Sequence, residues 1–254
     1  MANTFFQFKQ FTVNQAQCGM KVTTDACLFG AWVANFLHEN PTDYAQNFKV
    51  LDIGTGTGLL SLMLAQINPN INIDAVEIDH LASIEASENF NASPFNKQIQ
   101  SFHSDIKTFY PFHTNGYQFI ITNPPFFEDD LKSPLHNRNL AMHSLSLSLE
   151  ELVLEIKRLL SFKGRFAILL PYHRTDYFIK LTSKAGFKLL ASLFVKQTLK
   201  HPFFRSMLLF ENEDVLISKD NVDIKVKSAE LVIRENNEYS ASFNSLLMPY
   251  YLKL

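Results

Sequence analysis

The tetrapeptide Asn123-Pro124-Pro125-Phe126 follows directly on the apolar run Phe119-Ile-Ile-Thr122. Two prolines stiffen the exit from a strand and fix the preceding residue and the Pro124 carbonyl in space. That places two acceptors together, the Asn123 side-chain oxygen and the Pro124 carbonyl oxygen. Such a pair can take both N–H bonds of a conjugated amino group and aim its lone pair at an electrophile. The step would rest on positioning and electrostatics, with no strong base needed beforehand. Phe126 would offer a flat face for a ring to stack on, worth about 1–3 kcal/mol. All four residues are therefore catalytic candidates.

A second group of residues suits a nucleoside. Asp52-Ile-Gly54-Thr-Gly56-Thr-Gly58 stands between a strand-like and a helix-like run. Glycines let the backbone turn tightly and approach a ligand, and the helix start offers free amides. The spacing is Gly-x-Gly-x-Gly, whereas a pyrophosphate site prefers Gly-x-Gly-x-x-Gly. Asp52 just upstream would repel a pyrophosphate but could pair with an ammonium group. This favours the amino-acid end of S-adenosylmethionine over a nicotinamide dinucleotide. Glu77, about twenty residues past the glycines, is placed to meet ribose hydroxyls. Asp105, with Ile106 beside it, closes a third strand and could accept from an adenine amino group. Together with Asn123 these residues lie at successive strand ends, where open α/β sheets bind ligands.

The elements that must position them alternate. Phe48–Ile53, Ile71–Ile78, Ile99–Ile106, Tyr117–Thr122 and Arg165–Leu170 read as strands. Between them Gly58–Ile67, His80–Asn91 and Ser148–Leu160 read as helices. In His80–Asn91 the spacing puts Leu81, Ile84, Ala82 and Ala86 on the apolar side. Near-continuous apolar strands alternating with helices imply a parallel sheet covered on both faces. Phe187–Lys196, Ser206–Phe210 and Glu230–Arg234 lack full crossover helices between them, which predicts antiparallel pairing at one edge. A C-terminal helix or loop should follow. Upstream, Thr23–Phe36 is a predicted helix, capped by Thr24 or Asp25 and turning Trp32, Val33 and Phe36 inward. It would serve as a lid over a cofactor edge. Residues 1–40 are thus an N-terminal extension and 41–254 the catalytic domain, one structural unit overall.

Charge is unevenly spread. Residues 39–90 hold eight acidic side chains and one basic, while residues 157–205 hold eleven basic and one acidic. The basic block can present a phosphate-binding face although the net charge is −2. Lys196, Lys200 and Arg205 around Pro202-Phe203-Phe204 are candidates for holding a phosphate backbone, with Lys21 and Arg138 as further candidates near the site. Cys18 and Cys27 make no disulfide framework and fit a reducing compartment. No His/Cys spacing suggests a metal. No apolar run of about 18 residues is present and the first residues lack a signal-peptide pattern. We expect a cytoplasmic protein with no membrane contact.

These motifs carry a resemblance. Asp-x-Gly-x-Gly-x-Gly with a later Asn-Pro-Pro-Phe resembles the class I amino methyltransferases, whose fold is a Rossmann-like, seven-stranded, mostly parallel sheet with an antiparallel edge and helices on both faces. The stretch Phe11-Thr-Val-Asn-Gln, Cys18-Gly-Met-Lys21-Val-Thr-Thr-Asp25-Ala-Cys-Leu-Phe-Gly30-Ala-Trp32 and the ending Tyr250-Tyr-Leu are similar to the bacterial tRNA (adenine-N6) methyltransferases acting 3′ to the anticodon of valine tRNA. The similarity covers nearly the whole chain and is strongest over 7–60 and 118–127. Thr23 departs from it, standing where the family pattern has Gly. The resemblance implies S-adenosylmethionine as cofactor and tRNA as partner, with no protein partner implied. It maps Asp52, Gly54, Gly56, Glu77, Asp105 and Asn123 onto the cofactor site and 123–126 onto catalysis. The tetrapeptide alone would equally serve a guanine N2 in ribosomal RNA, an adenine in DNA or a release-factor glutamine. A nicotinamide oxidoreductase or non-catalytic nucleotide-binding module is disfavoured by Asp52 and by the Asn-Pro-Pro-Phe run.

Overall fold

The computed structural model describes residues 3–39, 48–111, 115–125, 147–212 and 226–254. Its centre is a nine-stranded sheet. In chain order the strands are β3 (Phe48–Ile53), β4 (Ile71–Glu77), β5 (Ile99–His103), β6 (Tyr117–Thr122), β7 (Leu160–Pro171), β8 (Phe187–Thr198), β9 (Phe203–Asn212), β10 (Lys227–Glu235) and β11 (Glu238–Tyr239). The spatial order is β11-β10-β8-β9-β7-β6-β3-β4-β5. The run from β5 to β8 is the expected seven-stranded sheet, and β10 and β11 extend it. Strands β3 to β7 pair in parallel, and β9 runs antiparallel to both β7 and β8. Strand β10 is parallel to β8, so the far edge is not a plain meander.

Helices cover both faces because alternate strand residues feed two cores. Val50, Phe119, Ile121 and Leu169 pack with α1 (Thr24–Glu39), α2 (Leu59–Ile67), α3 (His80–Ala92) and α6 (Ala241–Leu247). Leu51, Ile120, Phe166 and Ile168 pack with α4 (Leu149–Leu159) and α5 (Thr175–Lys184). Such alternation is the two-residue period of a strand buried on both sides. Helix α4 carries a reciprocal cap: Ser148 Oγ accepts from the Glu151 amide while the Glu151 carboxylate accepts from the Ser148 amide.

Two local readings need correction. On α3, Ala82 and Ala86 are buried, but Leu81 and Ile84 are 52% and 44% exposed. Their place on the inner face is taken by Glu85 and Asn89. At α1, the Ala26 amide is shared between the Thr23 hydroxyl at 3.4 Å and the Asp25 carboxylate at 3.2 Å. The helix begins at Thr24, so residue 23 holds the capping position. Val33 is buried as expected, and Trp32 and Phe36 are half-buried against the same core.

A small hairpin of β1 (Phe5–Gln7) and β2 (Thr12–Asn14) precedes α1. It is pinned to the C-terminus: the Lys9 amide donates to the Tyr250 carbonyl at 2.8 Å, and Phe6 and Phe8 pack on Tyr251. The Tyr250 hydroxyl then donates to the Met63 carbonyl on α2 at 3.2 Å. The two ends of the chain therefore meet on the back of the glycine-turn helix.

Candidate active site

The carboxyl ends of β3, β4, β5, β6 and β7 open at one edge of the sheet. Thr122 lies beside Ile53 across the β3–β6 pair and donates from its hydroxyl to the Ile53 carbonyl at 2.9 Å. The next residues of the two strands, Gly54 and Asn123, therefore leave the sheet side by side. Asn123, Pro124 and Pro125 form one corner with the glycine turn.

The turn runs from Gly54 to Gly58, and each strand residue before it fixes part of its shape. The Gly54 and Thr55 amides donate to the Val76 carbonyl at 2.9 and 3.1 Å. Gly54 adopts φ +69°, and a Cβ there would meet nothing within 4 Å, so space lies open above it. Gly58 is different: its φ is +83° and a Cβ would fall 2.4 Å from the Phe90 ring. Gly54 keeps a surface clear for a ligand, and Gly58 lets α3 pack closely. Gly56 lies between them, its open side facing Cys18 Sγ.

Asp52 is fully buried. Its Oδ2 accepts from the hydroxyls of Thr55 and Ser61, both at 2.7 Å, so it braces the turn to α2. Its Oδ1 is buried with no hydrogen-bond partner among the described residues. Burial pushes its carboxyl up to about 6, and the charge of Glu77 adds to this, against the lowering effect of the two hydroxyls. A buried carboxylate with one unmatched oxygen suits a cationic donor. Glu77, 9% exposed, accepts from the Gly56 amide with Oε2 and from the Asp79 amide with Oε1, both at 2.9 Å. It thus joins the second strand end to the glycine turn. Asp105 is half-buried after β5 and accepts from the Lys107 amide at 2.9 Å. Ile106 turns its side chain into the core, while its carbonyl accepts from Arg158 at 2.7 Å. Arg158 also donates to the Phe109 carbonyl at 3.1 Å, clamping the loop that carries Asp105.

Asn123 is half-buried, and its Oδ1 is shielded from water with no hydrogen-bond partner among the described residues. An unmatched buried amide oxygen costs about 1–3 kcal/mol, so it is a poised acceptor. Solvent does not reach it, so an incoming amino group must open a path to it. Pro124 is buried and Pro125 exposed. Phe126 and Arg138 lie outside the described residues.

Two residues that hold the N-terminal loop, Glu85 and Asn89, were missed in the sequence. The Glu85 carboxylate on α3 accepts from three successive amides: Ala16 at 2.6 Å, Gln17 at 3.0 Å and Cys18 at 2.8 Å. One turn on, Asn89 accepts from the Asn14 amide and donates to the carbonyls of Asn14 and Thr57, all at 2.9 Å. These bonds fasten the N-terminal loop over Gly56. Burial pushes the Cys18 thiol up, so it is no ready nucleophile. The available signal was the spacing of Glu85 and Asn89, four residues apart on the Ala82, Ala86 side.

The basic candidates are dispersed. Lys21 is half-buried and donates to the carbonyls of Gln15 and Cys18, so it holds the N-terminal loop together. Arg205 pairs with Asp25 of α1 at 2.6 Å. Lys196 reaches Glu230 at 3.3 Å and lies over the Phe203 ring. Lys200 is exposed at the tip of the β8–β9 hairpin. Among the described residues no cluster of His, Cys, Asp and Glu could hold a metal, and no helix is long and apolar enough to cross a membrane.

The chain is similar to known proteins. The family model "Methyltransferase small domain" matches residues 33–168. A tRNA1(Val) (adenine(37)-N6)-methyltransferase from Dyadobacter fermentans is 43% identical over 253 residues, 99% of this chain and 98% of its own length. One of the same description from Aliivibrio salmonicida is 36% identical, covering 99% of each chain. Among solved structures, a predicted O-methyltransferase from Agrobacterium tumefaciens matches with TM-score 0.65 at 12% identity, over 89% of this chain and 96% of its own. That likeness extends to the fold alone, which is the class I methyltransferase fold.

Proposed function

The chain belongs to the tRNA1(Val) (adenine(37)-N6)-methyltransferase family and carries its methyltransferase small domain, and we propose that it methylates the N6 amino group of an adenine in tRNA, next to the anticodon of a valine tRNA. S-adenosylmethionine would supply an electrophilic methyl group on a sulfonium. The residues fit that molecule: open space above Gly54 for its backbone approach, a buried carboxylate oxygen on Asp52 for an ammonium, and Glu77 for ribose hydroxyls. Asp105, with Ile106 beside it, would border the cofactor adenine.

One observation carries the reading: an unmatched amide oxygen on Asn123 beside the glycine turn. Asn123 Oδ1 and the Pro124 carbonyl would each accept one N–H of the target amino group. That draws the nitrogen lone pair out of the ring and aims it at the methyl group. The extra proton leaves to water after transfer. The target base must leave its stack, a cost of a few kcal/mol that is least for an unpaired loop nucleotide. Phe126 would stack on that base, and Lys196, Lys200 and Arg205 would lie along the RNA backbone, with Lys21 and Arg138 as further candidates for it. We read residues 1–40 as a lid on the catalytic domain 41–254, working in the bacterial cytoplasm.

The test is incubation with tRNA and labelled cofactor, followed by nucleoside analysis. N6-methyladenosine supports the proposal. Label in a guanosine, in DNA or in protein, with none in adenosine of tRNA, contradicts it.

A further inference from the structure

We infer that Tyr172, Phe194 and Phe203 form a second base-stacking site, holding a nucleobase that flanks the target adenine; this rests on the RNA reading above. The three rings meet at the sheet edge. Tyr172 lies 5.0 Å from Phe203 and 5.5 Å from Phe194, with Phe194 and Phe203 5.6 Å apart. Tyr172 is 39% exposed, and the two phenylalanines are half-buried beneath it. Phe194 rests on the edge of the core in which Phe166, Phe187 and Phe210 are wholly buried, while Tyr172 stands outside that core as the exposed face of the trio.

Its position ties it to the active corner. Strands β6 and β7 are neighbours, with Ile168 level with Thr122. Asn123 is one residue past that line, and β7 runs three residues past it to Pro171, about 10 Å of strand, with Tyr172 opening the turn that follows. The backbone at Tyr172 is held there by hydroxyls. Thr175 Oγ1 donates to the Tyr172 carbonyl at 2.7 Å and shares a 2.7 Å hydrogen bond with Ser206 on β9.

Charge selects the occupant. The Lys196 ammonium sits 4.1 Å from the Phe203 ring centre. Lys200 is exposed at the hairpin tip after β8, and Arg174, two residues past Tyr172, is exposed with its guanidinium 5.2 Å from the Tyr177 ring. Flat rings with cations alongside fit nucleic acid, which brings a π-face and phosphates together. Stacking tolerates any base, so the site sets the depth and direction of the strand and leaves base choice to the corner at Asn123.

The test uses a synthetic anticodon stem-loop RNA with 2-aminopurine at each position flanking the target in turn. We expect quenching of one flanking probe on binding to the native protein. Tyr172→Ala should abolish that quenching and raise the KM for RNA about tenfold, the loss of one base–aromatic stack. Tyr172→Phe should preserve both, since the ring and not the hydroxyl is used. Affinity for S-adenosylhomocysteine should be equal in all three proteins, which excludes a folding defect. RNA binding and methylation that are the same in Tyr172→Ala overturn the stacking site. Absence of adenosine methylation in the native protein, with flanking-probe quenching retained, overturns the functional reading and leaves the stacking site standing.

Discussion

The Glu85 carboxylate accepts the Cys18 amide at 2.8 Å, joining residues 67 positions apart in the chain. It makes the lid loop and the glycine turn a single structure, because Cys18 faces Gly56. Replacing Glu85 with Ala would strand three amides, two part-buried and one buried. Each unmet buried donor costs about 1–3 kcal/mol, so urea unfolding should show a loss of about 3 kcal/mol or more. Cofactor affinity should fall with it. A loss under about 1 kcal/mol would mean that water replaces the clasp.

Two glycines of one turn should respond in opposite ways. Gly58→Ala drives a Cβ to 2.4 Å from Phe90 and imposes φ +83° on an L-residue. It should cost about 2–5 kcal/mol of stability, partly restored by a smaller residue at 90. Gly54→Ala meets no atom within 4 Å, so its stability cost should be only the 1–2 kcal/mol of the left-handed backbone. Its methyl group would instead fill the ligand surface and weaken S-adenosylhomocysteine binding. Calorimetric titration and thermal melts of both variants check the contrast.

Asp52 predicts a pH dependence. Its folded-state pKa is raised from 3.8 to about 6, so the folded protein binds the proton more tightly than the unfolded chain. Stability from this group is present below about pH 4 and is lost as pH rises to about 6, a change of about 3 kcal/mol. Asp52→Asn should therefore gain on the native protein across that window and run parallel to it above pH 7. A difference that does not change between pH 4 and 7 would show that the carboxyl titrates normally.

These residues also show what sequence can carry. The strands Phe48–Ile53 and Tyr117–Thr122 were legible to their ends because β-rich apolar runs stop at glycine or proline. Leu152, Val153, Ile156 and Leu159, recurring at three and four, marked α4. The hairpin β1–β2 was not legible, since its three-residue strands are too short for a period and depend on contacts with Tyr250 and Tyr251 at the far end of the chain. Helix α3 misled because Glu85 and Asn89 occupy the inward face. Polar residues there look solvated until the loop that satisfies them is in place. The association of Lys21 with carbonyls and of Arg205 with Asp25 was hidden for the same reason: a cation's partner lies elsewhere in the chain.

The exposed hairpin tip makes a salt-dependent prediction. Lys200→Glu should raise the KM for tRNA several-fold at low salt, and the difference should shrink as salt screens it. Lys196→Glu should do more, since it also places a carboxylate near Glu230 and removes the cation over Phe203. Cofactor affinity should hold in both. Equal KM values at low salt would remove this hairpin from the RNA path.

The account turns on Asn123 as an acceptor for the target amino group. Its most direct test is single-turnover formation of N6-methyladenosine in tRNA by Asn123→Ala, with S-adenosylhomocysteine affinity measured alongside. The rate should fall by about 10²-fold or more while that affinity stays within about threefold of the native protein. Methylation at the native rate would contradict the account.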